Sequence, residues 1–287
     1  MEGSSSSTMS PPENPDTFPR LQTELEEGQF FDCRVSQRCT YRSVEVVYAK
    51  LKKVNDKATM DAIKAGPFGR YVEIQKFQHG NNLAWSLLVR STKEIRKGAM
   101  WFVVKGKPMR LSLKEFAIIT GLNCSQPVTG DENEALQEQL QCREFVDRHF
   151  PTYSPATGLS VKDLKTKSDE LVAKRLELLK DYRARPRGRR NVAAEPDDEI
   201  VKVANLLFVY DALIPNLKTD MKVNEAWLGL VENREMFNNY PWGTRAFNFL
   251  RAECDRDLGA KYRSLSLPDR SGATITYCGF LPVLTVR

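Results

Sequence analysis

The sequence predicts an α+β fold: a mostly helical single domain with a small β-hairpin and a disordered N-terminal leader. Three observations carry that expectation. Apolar residues recur at three- and four-residue intervals along much of the chain, which is the signature of helices with one buried face. One β-branched and aromatic run, Met100-Trp101-Phe102-Val103-Val104, is followed by a turn and a second short apolar run. Two stretches carry the paired residues of a helix capping box.

Taken in order, residues 1–28 form the expected leader, because serines, prolines and scattered acids cannot bury enough apolar surface to order themselves. Globular patterning starts near Phe30-Phe31, giving a globular unit over 29–287. Val44, Val47, Tyr48, Leu51 and Val54 share one helical face, and a weaker helix over 57–64 stops at Gly66-Pro67. A short helix over 83–90 follows. The hairpin comes next. Lys105-Gly106-Lys107-Pro108 joins its strands, and the proline suggests a loop longer than two residues.

Ser112 with Glu115 makes the first capping box, Leu111 and Phe116 form its hydrophobic staple, and Gly121 stops the helix over 113–120. Ser160 with Asp163 opens a longer helix, whose period runs through Leu164, Leu171, Val172, Leu176, Leu178, Leu179 and Tyr182 until Pro186 and Gly188 break it. An Arg-rich connector over 183–195 joins the two halves of the fold. Acids at 195–199 then stabilise the positive end of a helix over 198–213, apolar nearly all round and ended by Pro215. A last helix, after Pro241-Trp242-Gly243, places Ala246, Phe247, Leu250 and Cys254 on one face, and 273–277 reads as a short strand.

The formal net charge of +6 comes from 43 Lys and Arg against 37 Asp and Glu. Residues 162–190 hold eleven of the basic residues and five of the acids, so the remainder of the chain is neutral. That distribution excludes a uniformly basic coat of the histone or ribosomal kind. The most apolar stretch, 201–214, contains Asn205 and Asp211 and is too short to span a bilayer, so no membrane partner is expected. Glu2 stands where a secretory signal needs basic residues, and no apolar segment follows it.

The six cysteines, Cys33, Cys39, Cys124, Cys142, Cys254 and Cys278, are therefore expected to be free thiols. They contain no Cys-x-x-Cys pair, and His79 and His149 stand at no ligand spacing, so neither a metal nor a cofactor is expected. His79 and Cys254 have the chain order of a cysteine peptidase. Cys254, however, lies between Glu253 and Asp255, whose charges raise a thiol's pKa, the wrong direction for a nucleophile. His149 reads as a helix-end residue. Gly66-Pro67-Phe68-Gly69-Arg70 and Lys105-Gly106-Lys107-Pro108 lack the glycine spacing that wraps a phosphate and read as turns. The aromatic pairs Trp101-Phe102 and Tyr240-Trp242 read as core, with a ligand or peptide groove as the alternative.

The motifs at 101–108 (Trp-Phe-Val-Val-Lys-Gly-Lys-Pro) and 111–124 (Leu-Ser-Leu-Lys-Glu-Phe-Ala-Ile-Ile-Thr-Gly-Leu-Asn-Cys) resemble a plant-specific family with a domain of unknown function. Residues 206–214 and 237–247 are similar to it as well, so the resemblance spans roughly 68–250. In that family the domain often lies upstream of a SUMO-protease-like domain, in genes that look transposon-derived. This chain has no protease domain, and it stops soon after Gly279-Phe280, where family members continue. The resemblance therefore implies a stand-alone or truncated member, and it carries over no catalytic residue.

The feature above background is the basic run Arg183, Arg185, Arg187, Arg189 and Arg190, five guanidiniums in eight residues. Three readings stay open: a nuclear-import signal, extended upstream by Lys174, Arg175 and Lys180; non-specific contact with nucleic-acid phosphates through counterion release; and a solvated loop. The family resemblance implies a non-catalytic nuclear accessory or interaction domain with an unidentified protein partner. The alternatives are a weak nucleic-acid binder and, behind that, a cysteine peptidase, with the cytoplasm as the alternative location.

Overall fold

A computed structural model of the chain describes residues 22–31, 33–39, 42–72, 80–92, 98–126, 134–154, 156–184, 195–215, 221–255, 258–264 and 274–284. The fold is mostly helical α+β and forms a single domain, as the sequence predicts.

A short strand, β1 (Arg34–Arg38), leads into α1 (Arg42–Lys53), α2 (Lys57–Lys64), α3 (Gly69–Val72) and α4 (Asn81–Leu88). The hairpin β2 (Ala99–Val104) and β3 (Lys107–Ser112) runs directly into α5 (Leu113–Thr120). Helices α6 (Glu134–Leu140), α7 (Glu144–His149) and the 24-residue α8 (Val161–Ala184) follow. After them come α9 (Asp198–Phe208), α10 (Glu225–Leu230), α11 (Arg234–Asn239), α12 (Trp242–Cys254), α13 (Leu258–Ser264) and a final strand β4 (Thr274–Cys278).

Helix α5 begins and ends where its sequence signals place it. The Ser112 hydroxyl accepts from the Lys114 N–H, the Glu115 carboxylate accepts from the Ser112 N–H, and Gly121 closes the helix in the left-handed conformation. The second capping box is also present. The Ser160 hydroxyl accepts from the Asp163 N–H at 3.2 Å, and Asp163 Oδ2 accepts from the Ser160 N–H at 2.9 Å. In α12, Ala246, Phe247, Leu250 and Cys254 are all buried.

Four details depart from expectation. The hairpin loop has two residues, Lys105 and Gly106, both with positive φ (51° and 73°), which is the type I′ geometry that matches strand twist. Pro108 fits because it pairs with Val103, whose N–H bonds to Arg90 on the other side; this pair exchanges no hydrogen bond, so proline's missing donor costs nothing there. Next, β4 does not stand alone: it pairs in parallel with β1, Arg34 opposite Thr274 and Arg38 opposite Cys278. The polar sequence Arg-Val-Ser-Gln-Arg hides β1 from a hydrophobic-pattern reading.

The body also begins earlier than residue 29. Thr23 bridges Thr92, and Leu25 is 1% exposed, so 22–28 belong to the packed domain while 1–21 lie outside the described residues. Last, α9 continues into a π-helical turn, Val209–Leu213, in which the Ile214 N–H reaches the Val209 carbonyl at 2.8 Å. The expected connector at 183–195 falls mostly at 185–194, outside the described residues; Arg183 and Ala184 end α8.

The main core gathers side chains from Leu25 to Leu284. Its centre is aromatic. Phe68 stacks on Phe208 at 4.6 Å, and Trp242 meets Trp227, Phe237 and Tyr240 at 5.5, 4.9 and 4.6 Å. A smaller cluster, with Val47, Leu51, Ile63, Val172 and Val201, locks α8 and α9 to α1 and α2.

Candidate binding sites

The basic helix is the first site to test against the geometry. Of the eleven basic residues at 162–190, seven lie on α8, and three of these, Lys165, Lys167 and Arg175, are paired with acids. Lys165 pairs with Asp211 at 2.9 Å, Lys167 with Glu170, and Lys50 of α1 approaches Asp169 at 2.8 Å. Among the exposed positions of α8, Lys162, Lys174 and Lys180 stand against five acids: Asp163, Asp169, Glu170, Glu177 and Asp181. The outer face of the helix is thus not a cationic stripe.

Arg175 is turned inward and mostly covered. Its Nε donates to Asp56 Oδ2 at 2.8 Å, and its Nη2 donates to Asp56 Oδ1 at 3.3 Å and to the Glu195 carbonyl at 2.9 Å. Asp56 is 1% exposed at its side chain and also caps α2 by accepting from the Thr59 N–H and hydroxyl. Burial would raise the Asp56 pKa, but the Arg175 and Thr59 bonds outweigh it, and the carboxyl titrates below its ordinary range. The upstream extension of an import signal through Arg175 is therefore not supported. Arg183 sits on the last turn of α8, and Arg185, Arg187, Arg189 and Arg190 lie outside the described residues.

A polar network that no sequence motif announces joins α7, α9 and the turn after α10. Lys202 donates to Glu232 at 2.7 Å and to Glu199 at 3.0 Å, Arg148 bonds Glu199 at 2.8 Å, and the His149 ring meets Glu199. Burial opposes ionisation at both Glu199 and Lys202; their mutual bonds and those of His149 and Glu232 prevail, holding Glu199 below and Lys202 above its ordinary value. His149 ends α7, as expected, and serves as a strut.

The two loops considered for phosphate have structural uses. Arg70 Nη1 and the Tyr71 hydroxyl both donate to the Thr120 carbonyl, at 2.9 and 2.6 Å, at the negative end of α5. Lys105-Gly106 is the hairpin turn. Cys254 is 5% exposed, burial pushes the Cys124 thiol up to about 11, and His79 lies outside the described residues. Among the described residues no three His, Cys, Asp or Glu side chains converge as metal ligands, and no helix is long and apolar enough to cross a membrane.

The aromatic candidates divide. Phe102 and Trp242 are each 1% exposed and belong to the core. Tyr240 lines an open groove of about 360 Å³, whose apolar wall is Leu136 of α6, Met236 of α11, Tyr240 and Pro241. Ser125, Asn233 and Asn239 supply hydrogen-bonding groups at its sides, and Glu235 adds one carboxylate. The groove is braced by Asn123, whose Nδ2 donates to the Asn239 carbonyl at 2.5 Å, and by Arg245, whose Nε donates to the Tyr240 hydroxyl at 3.1 Å.

Residues 88–180 match the model of a domain of unknown function, DUF1985. The matched span runs from the end of α4 through the hairpin and α5–α7 into most of α8. It takes in the motifs at 101–108 and 111–124 and stops before 206–214 and 237–247. No curated protein and no solved structure matches the chain. Leu136, on the groove wall, falls inside the matched span, whereas Met236 and Tyr240 fall beyond it.

Proposed function

We propose that the chain is a non-catalytic nuclear accessory domain that binds a partner protein, taking an extended peptide segment in the groove between α6 and α11. The observation that carries this reading is the groove itself: an open apolar wall of Leu136, Met236, Tyr240 and Pro241 flanked by hydroxyl and amide groups. Apolar pockets give a bound peptide its affinity, and flanking hydrogen-bonding groups fix its register.

The raised Cys124 thiol and the buried Cys254 favour the non-catalytic half of the proposal, since a nucleophilic cysteine needs a depressed pKa and access. The nuclear, plant-specific and SUMO-protease-associated setting rests on the sequence resemblance, in which such domains stand upstream of a SUMO-protease-like domain in transposon-derived genes. The alternative, non-specific nucleic-acid binding, rests on Arg183, Arg185, Arg187, Arg189 and Arg190 alone, because the exposed face of α8 offers phosphates more acids than lysines.

Selection of peptides from a random display library on the full chain tests the groove. Selected peptides should lose at least about tenfold in affinity for Met236→Lys, which adds a charge on a partly exposed wall while leaving the fold intact. Failure to enrich any peptide, or equal binding to the variant, would sink the proposal.

A further inference from the structure

Helix α9 is buried along nearly its whole length: Val201, Val203, Ala204, Leu206, Leu207 and Phe208 are each at most 5% exposed. Asn205 interrupts that run. It is itself only 8% exposed, yet its amide forms no hydrogen bond with any described residue. The amide's oxygen and nitrogen are not sealed in the core; they reach open space, which leaves donor and acceptor both available to a bound group.

The Asn205 side chain lines a cavity of about 160 Å³ between α9 and α11, separate from the groove beside Tyr240. Phe237 and Val201 make its apolar walls. Its charged groups balance, Lys202 and Arg234 against Asp198 and Glu232, and Lys202 is already held by Glu199 and Glu232. Nothing there favours a net ion. Gly66 stands against the amide: a Cβ at that position would come within 3.3 Å of Asn205 Oδ1 and 3.2 Å of the Ile63 carbonyl oxygen. Glycine leaves the amide room that any other residue would crowd. The volume falls below the roughly 300 Å³ at which cofactor and drug-sized sites begin, so the cavity suits a group the size of one side chain.

We propose that this cavity recognises a primary carboxamide, that of glutamine or asparagine, presented either as the free amino acid or as a side chain of a bound segment. A carboxamide is a donor and an acceptor side by side, and it pairs both functions with the Asn205 amide; a carboxylate lacks the donor, and a hydroxyl cannot span both positions. The balanced lining accepts such a neutral group, and Phe237 and Val201 enclose its methylenes.

The test titrates the full chain, followed by NMR, with L-glutamine and with a blocked Ala-Gln-Ala tripeptide, each against its glutamate counterpart. At least one carboxamide probe should saturate with a Kd of about 1 mM or tighter, with its glutamate counterpart at least about tenfold weaker. The Asn205 side-chain NH2 signals, identified by their absence from Asn205→Leu, should shift on saturation. Asn205→Leu should abolish binding, and if that variant does not fold, Asn205→Asp, which keeps the size and removes the donor, should weaken it at least about tenfold. Binding of free glutamine alone identifies the amino acid as the ligand, and binding of the tripeptide alone identifies a docked segment. No saturation by either carboxamide, equal affinity for the glutamate probes, or unchanged binding in the folded variant overturns the proposal.

Discussion

Ser112 and Glu115 determine where α5 starts, and their chemistry can be followed by pH. The Ser112 hydroxyl and N–H both donate to the Glu115 carboxylate, Arg110 Nη2 reaches its other oxygen at 2.7 Å, and the Glu115 pKa falls to about 2 against an ordinary 4.5. A carboxylate whose folded pKa is depressed contributes stability that is present above its unfolded pKa and lost as pH falls through the folded one. Glu115→Gln should therefore be less stable than the parent at pH 7, and urea titrations should show the gap closing between about pH 4.5 and about pH 2. Ser112→Ala should cost about 1 kcal/mol at neutral pH by the same assay. The capping box was legible in the sequence because it is local, its partners three residues apart; the Arg110 contact, made across the end of β3, was not.

At the scale of elements the decisive contact is remote in sequence. Arg175 of α8 grips Asp56 at the start of α2 and the carbonyl of Glu195 ahead of α9, and Thr59 accepts from the Asp197 N–H at 3.0 Å. Two helix starts, those of α2 and α9, are thereby tied to the middle of α8 by one ion pair whose carboxylate is buried. Removing one partner of such a pair strands a charge, so Arg175→Ala should destabilise by about 3–5 kcal/mol in urea unfolding, whereas Lys174→Ala, one residue away and exposed, should change stability by less than about 0.5 kcal/mol. The sequence presents both as members of one basic cluster. Only the 24-residue length of α8, and the turn of its face toward α1 and α2, separates a structural arginine from a solvated lysine. The hairpin carries a related lesson. Lys105-Gly106 can adopt the type I′ turn, and a reading that weighs Pro108 as a breaker misses that its pair with Val103 needs no N–H.

At the scale of the whole fold, β1 at 34–38 pairs with β4 at 274–278, and the main core is aromatic at its centre. The chain's charge has a narrower location than the net value of +6 suggests. Residues 185–190 hold four arginines and no acid, while α8 has seven basic residues against five acids and uses several of them in ion pairs. Replacing Arg183, Arg185, Arg187, Arg189 and Arg190 by alanine should leave the thermal midpoint within about 2 °C of the parent. If the run is an import signal, a fluorescent fusion of that variant should leave the nucleus; unchanged localisation removes the signal from this segment. If it contacts phosphates, the salt dependence of DNA binding should flatten by about four units of log–log slope.

By itself the sequence determined the helical class, the bounds of α5, the opening of α8, the buried face of α12 and the place of the arginine run, because each is written in local spacing, capping or composition. It could not show that a polar five-residue strand pairs with one about 240 residues later, that Arg175 grips the buried Asp56, or that Tyr240 lines a groove while Trp242 fills the core. Nor could it show that Asn205, which reads only as a polar residue in an apolar helix, faces a cavity without a partner. Those outcomes depend on which faces meet across the fold, and burial, ion pairing and cavity shape are properties of that meeting, not of any one segment.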